Sequence, residues 1–161
     1  KDIEWHAIGH LQSNKVKYIA PFITLIHSVE SLKLMKEINK QAKKHDRIIE
    51  FLLQFHIAEE DTKFGLDLSE AQQILNSDFY KNAKNIKVAG VMGMATFTEN
   101  KNQVRNEFQT LKNIFEALKK GFFESDDNFK EISMGMSGDF ELAIEEGSTM
   151  VRIGSLLFGA R

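Results

Sequence analysis

The chain has 161 residues, 42% of them hydrophobic and 27% charged, ordinary proportions for one globular domain with a real core. Its net charge of −2 gives no electrostatic footprint for a nucleic acid or an anionic membrane, and no apolar run is long enough to span a bilayer. The absence of cysteine excludes disulfides, thiolate metal sites and cysteine nucleophiles, and fits a reducing, cytoplasmic compartment.

Lys1-Asp2-Ile3-Glu4 has no Met and leads almost at once into an apolar strand, so a preceding segment is expected. Trp5–Gly9 is the first strand candidate, and a short helix over Asn14–Ala20 precedes Pro21. Thr24–Val29 is the second strand. Ser31–Asp46 follows as an amphipathic helix with Leu32, Met35, Ile38 and Ala42 on one face. Ile48–Ile57 is a nearly continuous apolar run, the pattern of a parallel strand buried on both faces. Ser69–Ser77 is a short helix with Ser69 as its expected cap. Val88–Ala95 is the fourth strand. Asn102–Gly121 is the longest helix, with Val104, Phe108, Leu111, Phe115 and Leu118 at helical spacing and Gly121 as the expected stop. The strand Glu131–Met136, the helix Phe140–Glu146 with Asp139 as cap, and the strand Met150–Ile153 complete the series.

This β-α alternation predicts a single α/β domain over residues 1–161 with right-handed crossovers. No Gly-x-Gly-x-x-Gly follows an early strand, which disfavours an open dinucleotide-binding sheet. Glycine-rich, polar ends recur instead after several strands, as on the C-terminal face of a (β/α)8 TIM barrel.

Two such ends come in succession. Ser133-Met134-Gly135-Met136-Ser137-Gly138-Asp139 runs from a strand into a helix start, where backbone N–H groups and the Ser137 hydroxyl can face an anion. Gly147-Ser148-Thr149-Met150-Val151-Arg152-Ile153 then leads to Gly154-Ser155, again with exposed backbone donors. Singly, each is an ordinary tight turn; together they match the usual phosphate position of a barrel. Arg152 alternates with Val151 and Ile153, so it points into the barrel and needs an acceptor: an interior carboxylate, or a ligand's phosphate oxygen or pyridine nitrogen.

A third polar cluster, Trp5-His6-Ala7-Ile8-Gly9-His10-Leu11-Gln12-Ser13-Asn14-Lys15, follows the first strand. The spacing of His6 and His10 fits no compact metal site, and His27 and His56 are equally consistent with core or cavity positions. Thr62-Lys63-Phe64-Gly65 suits a loop over a barrel mouth or a plain surface turn.

Taken in order, Trp5-His6, Ile8-Gly9, Leu11-Gln12, Asn14-Lys15, Ser133 to Ser137, Gly147 to Gly154 and Phe158-Gly159-Ala160-Arg161 resemble the pyridoxal phosphate homeostasis protein family. The resemblance implies a barrel like the N-terminal domain of alanine racemase, holding pyridoxal 5′-phosphate. It implies that Ser137 and the backbone of Gly154 and Ser155 hold the phosphate, that Arg152 faces the pyridine nitrogen, and that His6 lines the cavity beside the ring. It implies a cytoplasmic protein of vitamin B6 and amino-acid balance without established catalysis, with no nucleic-acid or membrane partner and a monomeric state favoured. A racemase-like enzyme dependent on the same cofactor is the alternative. The family's Schiff-base lysine lies on an earlier strand, so it is expected upstream of this chain, with roughly the first two β/α units of the barrel.

Overall fold

A computed structural model describes residues 3–59 and 64–159. Lys1, Asp2, Thr62, Lys63, Ala160 and Arg161 therefore lie outside the described residues. The strands are β1 (His6–Ala7), β2 (Leu25–Val29), β3 (Ile49–Phe55), β4 (Ile86–Gly93), β5 (Glu131–Met136) and β6 (Met150–Arg152). They form one parallel sheet in the order β1 to β6. Between them run α1 (Val16–Ile19), α2 (Leu32–Lys44), α3 (Leu68–Asn76), α4 (Asp78–Asn82), α5 (Lys101–Phe122) and α6 (Phe140–Glu145), and α7 (Ser155–Phe158) follows β6.

The sheet curls into an arc of barrel. His27 on β2 and Ser133 on β5 are three strand spacings apart, about 14 Å across a flat sheet. Their side chains nevertheless meet at 2.9 Å. Only a concave inner face allows that.

The two faces of the sheet carry different chemistry. Ile26, Phe51, Leu53, Phe55, Val88, Val91, Ile132 and Met134 point outward and pack with Met35, Ile38, Phe108 and Leu111 of the helices in one large apolar cluster. The inner face has a much smaller cluster of Leu25, Leu52, Ala89 and Met92, joined by Met150. Most apolar burial, at about 25 cal/mol per Å², thus lies under the helices. The inner face is left free for polar side chains.

Several boundaries differ from the sequence reading. The expected strand Trp5–Gly9 pairs only at His6–Ala7. It is an edge strand with one neighbour, Trp5 and Ile8 stay exposed, and Gly9 turns away at φ +82°. The cap of α3 is Asp67, not Ser69: its carboxylate accepts from the Glu70 amide while the Glu70 carboxylate accepts from the Asp67 amide. Gly121 does not stop α5, which continues to Phe122. Asp139 precedes α6 but makes no side-chain cap; its carboxylate accepts from the Met136 amide at 2.6 Å. The short helices α4 and α7 carry no periodic stripe that a sequence reading could detect.

Candidate functional site

The C-terminal ends of the strands surround a cavity of about 910 Å³. His6, Ser137, Arg152, Gly154 and Ser155 all line it, so residues separated by most of the chain converge on one cavity. Each arrives on a strand end or the turn after it, because parallel strands in right-handed units deliver all such ends to one face.

Among the described residues, no carboxylate forms an ion pair with Arg152. One guanidinium nitrogen donates to Ser133 Oγ at 2.7 Å and another to the Gly93 carbonyl at 3.1 Å. Burial pulls its pKa down to about 10, with Asp139 acting in the opposite direction. The cation is retained at neutral pH, held by neutral acceptors.

Ser133 is fully buried and passes the contact on. Its oxygen lies 2.9 Å from His27 Nδ1, and His27 Nε2 lies 3.2 Å from His6 Nδ1. Proton positions follow from donor counting. Arginine only donates, so the one acceptor for the Ser133 hydroxyl hydrogen is His27 Nδ1. His27 then carries its proton on Nε2 and donates it to His6. His6 in turn keeps its proton on Nε2. Burial, helped by His6 and Arg152, lowers the His27 pKa to about 3, which fixes it as a neutral imidazole. The result is an ordered line from a half-buried cation to an exposed imidazole.

The second part of the site is built from turns. Ser137 Oγ accepts from the Gly154 amide at 3.3 Å and the Leu156 amide at 3.5 Å. Two backbone donors and a hydroxyl therefore converge on one small volume, suited to an anionic oxygen. Gly135 makes this possible from below. Its φ is +94°, and an added Cβ would lie 2.6 Å from Ala143 Cβ, so α6 can approach β5 only over a glycine.

Sequence reasoning left His27 ambiguous, gave Ser133 no role, and missed the wall formed by Thr96, Phe97 and Thr98 after β4. That loop has no glycine-rich or charged signature to mark it. Conversely, Ser148 and Thr149 sit at the other end of β6 from the cavity. Ser148 Oγ lies within 3.2 Å of the Ile132, Met134 and Met150 carbonyls, and Thr149 Oγ1 accepts from the Ile132 amide and donates to Glu131. They pin β5 to β6 and do not face the site. Phe64 and Gly65 are the described part of the expected mouth loop; Phe64 lies beside the His10 ring, at 6.2 Å between centroids.

The family model for the alanine racemase N-terminal domain matches residues 3–161. The pyridoxal phosphate homeostasis protein of Aquifex aeolicus is 40% identical over 160 residues, covering 99% of this chain and 68% of that protein. The structure of PipY from Synechococcus elongatus with PLP bound is 28% identical, with a TM-score of 0.86 over 99% of this chain and 72% of that one. Alanine racemase of Clostridium difficile in complex with cycloserine shares the fold, at 15% identity and a TM-score of 0.75 over 97% of this chain and 41% of that one. The chain spans about two thirds of the length of the curated relatives it matches, between 66% and 68% for three of them. With its barrel arc and these relatives, the chain belongs to the alanine racemase N-terminal domain family, among the pyridoxal phosphate homeostasis proteins.

Proposed function

We propose that this chain holds pyridoxal 5′-phosphate as part of a cytoplasmic protein of vitamin B6 homeostasis, and that it binds the cofactor without catalytic turnover. The relatives' names and the PLP-bound neighbour support the ligand. The observation in this chain that carries the reading is the convergence of Ser137 Oγ with the Gly154 and Leu156 amides, across the cavity wall from Arg152.

In this reading Ser137 and the backbone of Gly154 and Ser155 hold the phosphate. Arg152 presents guanidinium N–H groups to the pyridine nitrogen, and His6 offers its Nε2–H beside the ring. When bound, the cofactor supplies an aldehyde and an electron-withdrawing ring. An arginine at the ring nitrogen disfavours its protonation, so the ring is a weaker electron sink than one paired with a carboxylate. Ser133 keeps Arg152 in place, and His27 keeps Ser133 oriented. Neither needs to move a proton.

The test is a fluorescence titration with pyridoxal phosphate, pyridoxal and inorganic phosphate. Pyridoxal phosphate should bind more tightly than either fragment. Ser137→Ala should remove most of its advantage over pyridoxal, about tenfold for one hydrogen bond to a charged group. Absence of saturable binding by the unaltered protein would sink the proposal.

A further inference from the structure

Glu107 is the one carboxylate among the buried described residues, with 4% exposure, and it lies on α5 outside the cavity lining. A buried carboxylate is costly unless donors surround it. Glu107 has four. Oε2 accepts from the Thr96 amide at 2.6 Å; Oε1 accepts from the Thr96 hydroxyl at 2.7 Å, the Glu59 amide at 3.1 Å and Gln103 Nε2 at 3.2 Å. The Glu59 amide also points at Thr96 Oγ1, at 3.2 Å. One carboxylate thus ties the segment after β3 to the segment after β4.

The tied segment is functional surface. Residues 94–100 form neither helix nor strand, and Thr96, Phe97 and Thr98 are one wall of the cavity. Phe97 is 98% exposed, so packing does not hold that wall. Charge-assisted hydrogen bonds to Glu107 do. We propose that Glu107 is a positioning residue, which touches no ligand but sets the Thr96–Thr98 wall and with it the affinity for the ring of pyridoxal phosphate. This rests on the proposed cofactor site. The phosphate donors, Ser137 and the amides of α7, belong to other strand ends and do not depend on it.

Glu107→Gln keeps the shape but replaces one acceptor oxygen with an amide that faces backbone donors. Thr96→Val removes the hydroxyl with little change in volume, and Thr96→Ser keeps it. In hydrogen exchange of the free protein, the Thr96 and Glu59 amides should exchange about tenfold faster in Glu107→Gln and Thr96→Val, the worth of one hydrogen bond to a charged group. Affinity for pyridoxal phosphate should fall about tenfold in both. Affinity for inorganic phosphate should hold, and Thr96→Ser should behave as the unaltered protein. Faster exchange with unchanged pyridoxal phosphate affinity overturns the inference, as does a parallel loss of affinity for both ligands. An unaltered protein that fails to bind pyridoxal phosphate overturns the cofactor reading itself, and this inference with it. Thr96→Val decides the matter should Glu107→Gln not fold.

Discussion

Mild acid should destabilise this protein through His27. The imidazole is 1% exposed, and burial with help from His6 and Arg152 holds its pKa at about 3. In the unfolded chain it titrates near 6.5. The folded state therefore binds fewer protons, so stability is full above pH 6.5 and falls as the pH drops toward 3. At pH 5 the loss from this one group is about 2 kcal/mol, at 1.36 kcal/mol per pKa unit. The figure hardly changes if the folded value lies a unit higher, since His27 is neutral at pH 5 in either case. By pH 3 the loss is about 4 kcal/mol, close to the whole stability of a small domain. Urea unfolding of the unaltered protein and His27→Gln at pH 7.5, 6.5, 5.5 and 5.0 isolates the effect, because titrations common to both cancel. The stability difference between them should shift by about 2 kcal/mol toward the variant between pH 7.5 and 5.0. His6 is bonded to His27, so the comparison is repeated in a His6→Asn background, where the shift should persist. Parallel stability curves, or an imidazole NMR signal for His27 that titrates between pH 5.5 and 7, would refute the reasoning.

Other substitutions probe separate parts of the argument. Ser133→Ala strips a buried partner from both Arg152 and His27, and should cost about 1–3 kcal/mol in urea unfolding while weakening pyridoxal phosphate binding. Asp67→Ala removes the capping box of α3 and should cost about 1 kcal/mol, whereas Ser69→Ala should be neutral in the same denaturation assay. Gly121→Ala should raise the unfolding free energy by about 0.5–1 kcal/mol, since the residue is helical and an added Cβ meets nothing within 4 Å. Gly90→Ala should prevent recovery of folded protein in a solubility and circular dichroism screen, because its Cβ would fall 1.8 Å from the Glu131 carbonyl oxygen and break the pairing of β4 with β5.

The sequence was informative where periodicity or backbone chemistry leaves a local trace. Ile49–Phe55 is legible as a buried parallel strand because its residues are apolar on both faces, and the α5 stripe is legible because Val104, Phe108 and Leu111 repeat at helical spacing. The convergence of Ser137, Gly154 and Ser155 on one cavity was legible because small residues recur at two successive strand ends. Arg152 was legible only in direction. Its acceptors, Ser133 and the Gly93 carbonyl, come from two other strands, and nothing near Arg152 in the chain encodes them. His27 was hidden for the same reason. One histidine on a buried strand looks alike whether it ends against a leucine or against Ser133 of β5, 106 residues on. Asp67 escaped because the run Asp67-Leu68-Ser69 offers two plausible caps, and only the reciprocal bond with Glu70 separates them.

Strict alternation also fails at the place where the site is made. Ser133 pairs with Met150 and Met136 with Arg152, three residues of β5 against two of β6. The extra residue is a bulge, and Gly135 at φ +94° is its turning point. With a perfect two-residue repeat Ser133 and Met136 would face opposite sides of the sheet. The bulge brings Met136 onto the cavity as well, followed by Ser137. The same device recurs on β2, where Ile26 to Val29 spans Phe51 to Leu53, and on β4, where Val88 to Gly90 spans Phe51 to Leu52. Each shift lies on a strand that gives residues to the cavity, namely His27, Met92 and Met136. In a curled parallel sheet the inner face narrows, and side chains on it must be re-aimed to meet. Bulges re-aim them without disturbing the outer face, where Ile26, Val88 and Ile132 stay packed under the helices. The site is therefore set by three local register shifts in an otherwise regular arc, which predicts that a substitution at Gly135 will damage cofactor binding before it damages the rest of the sheet.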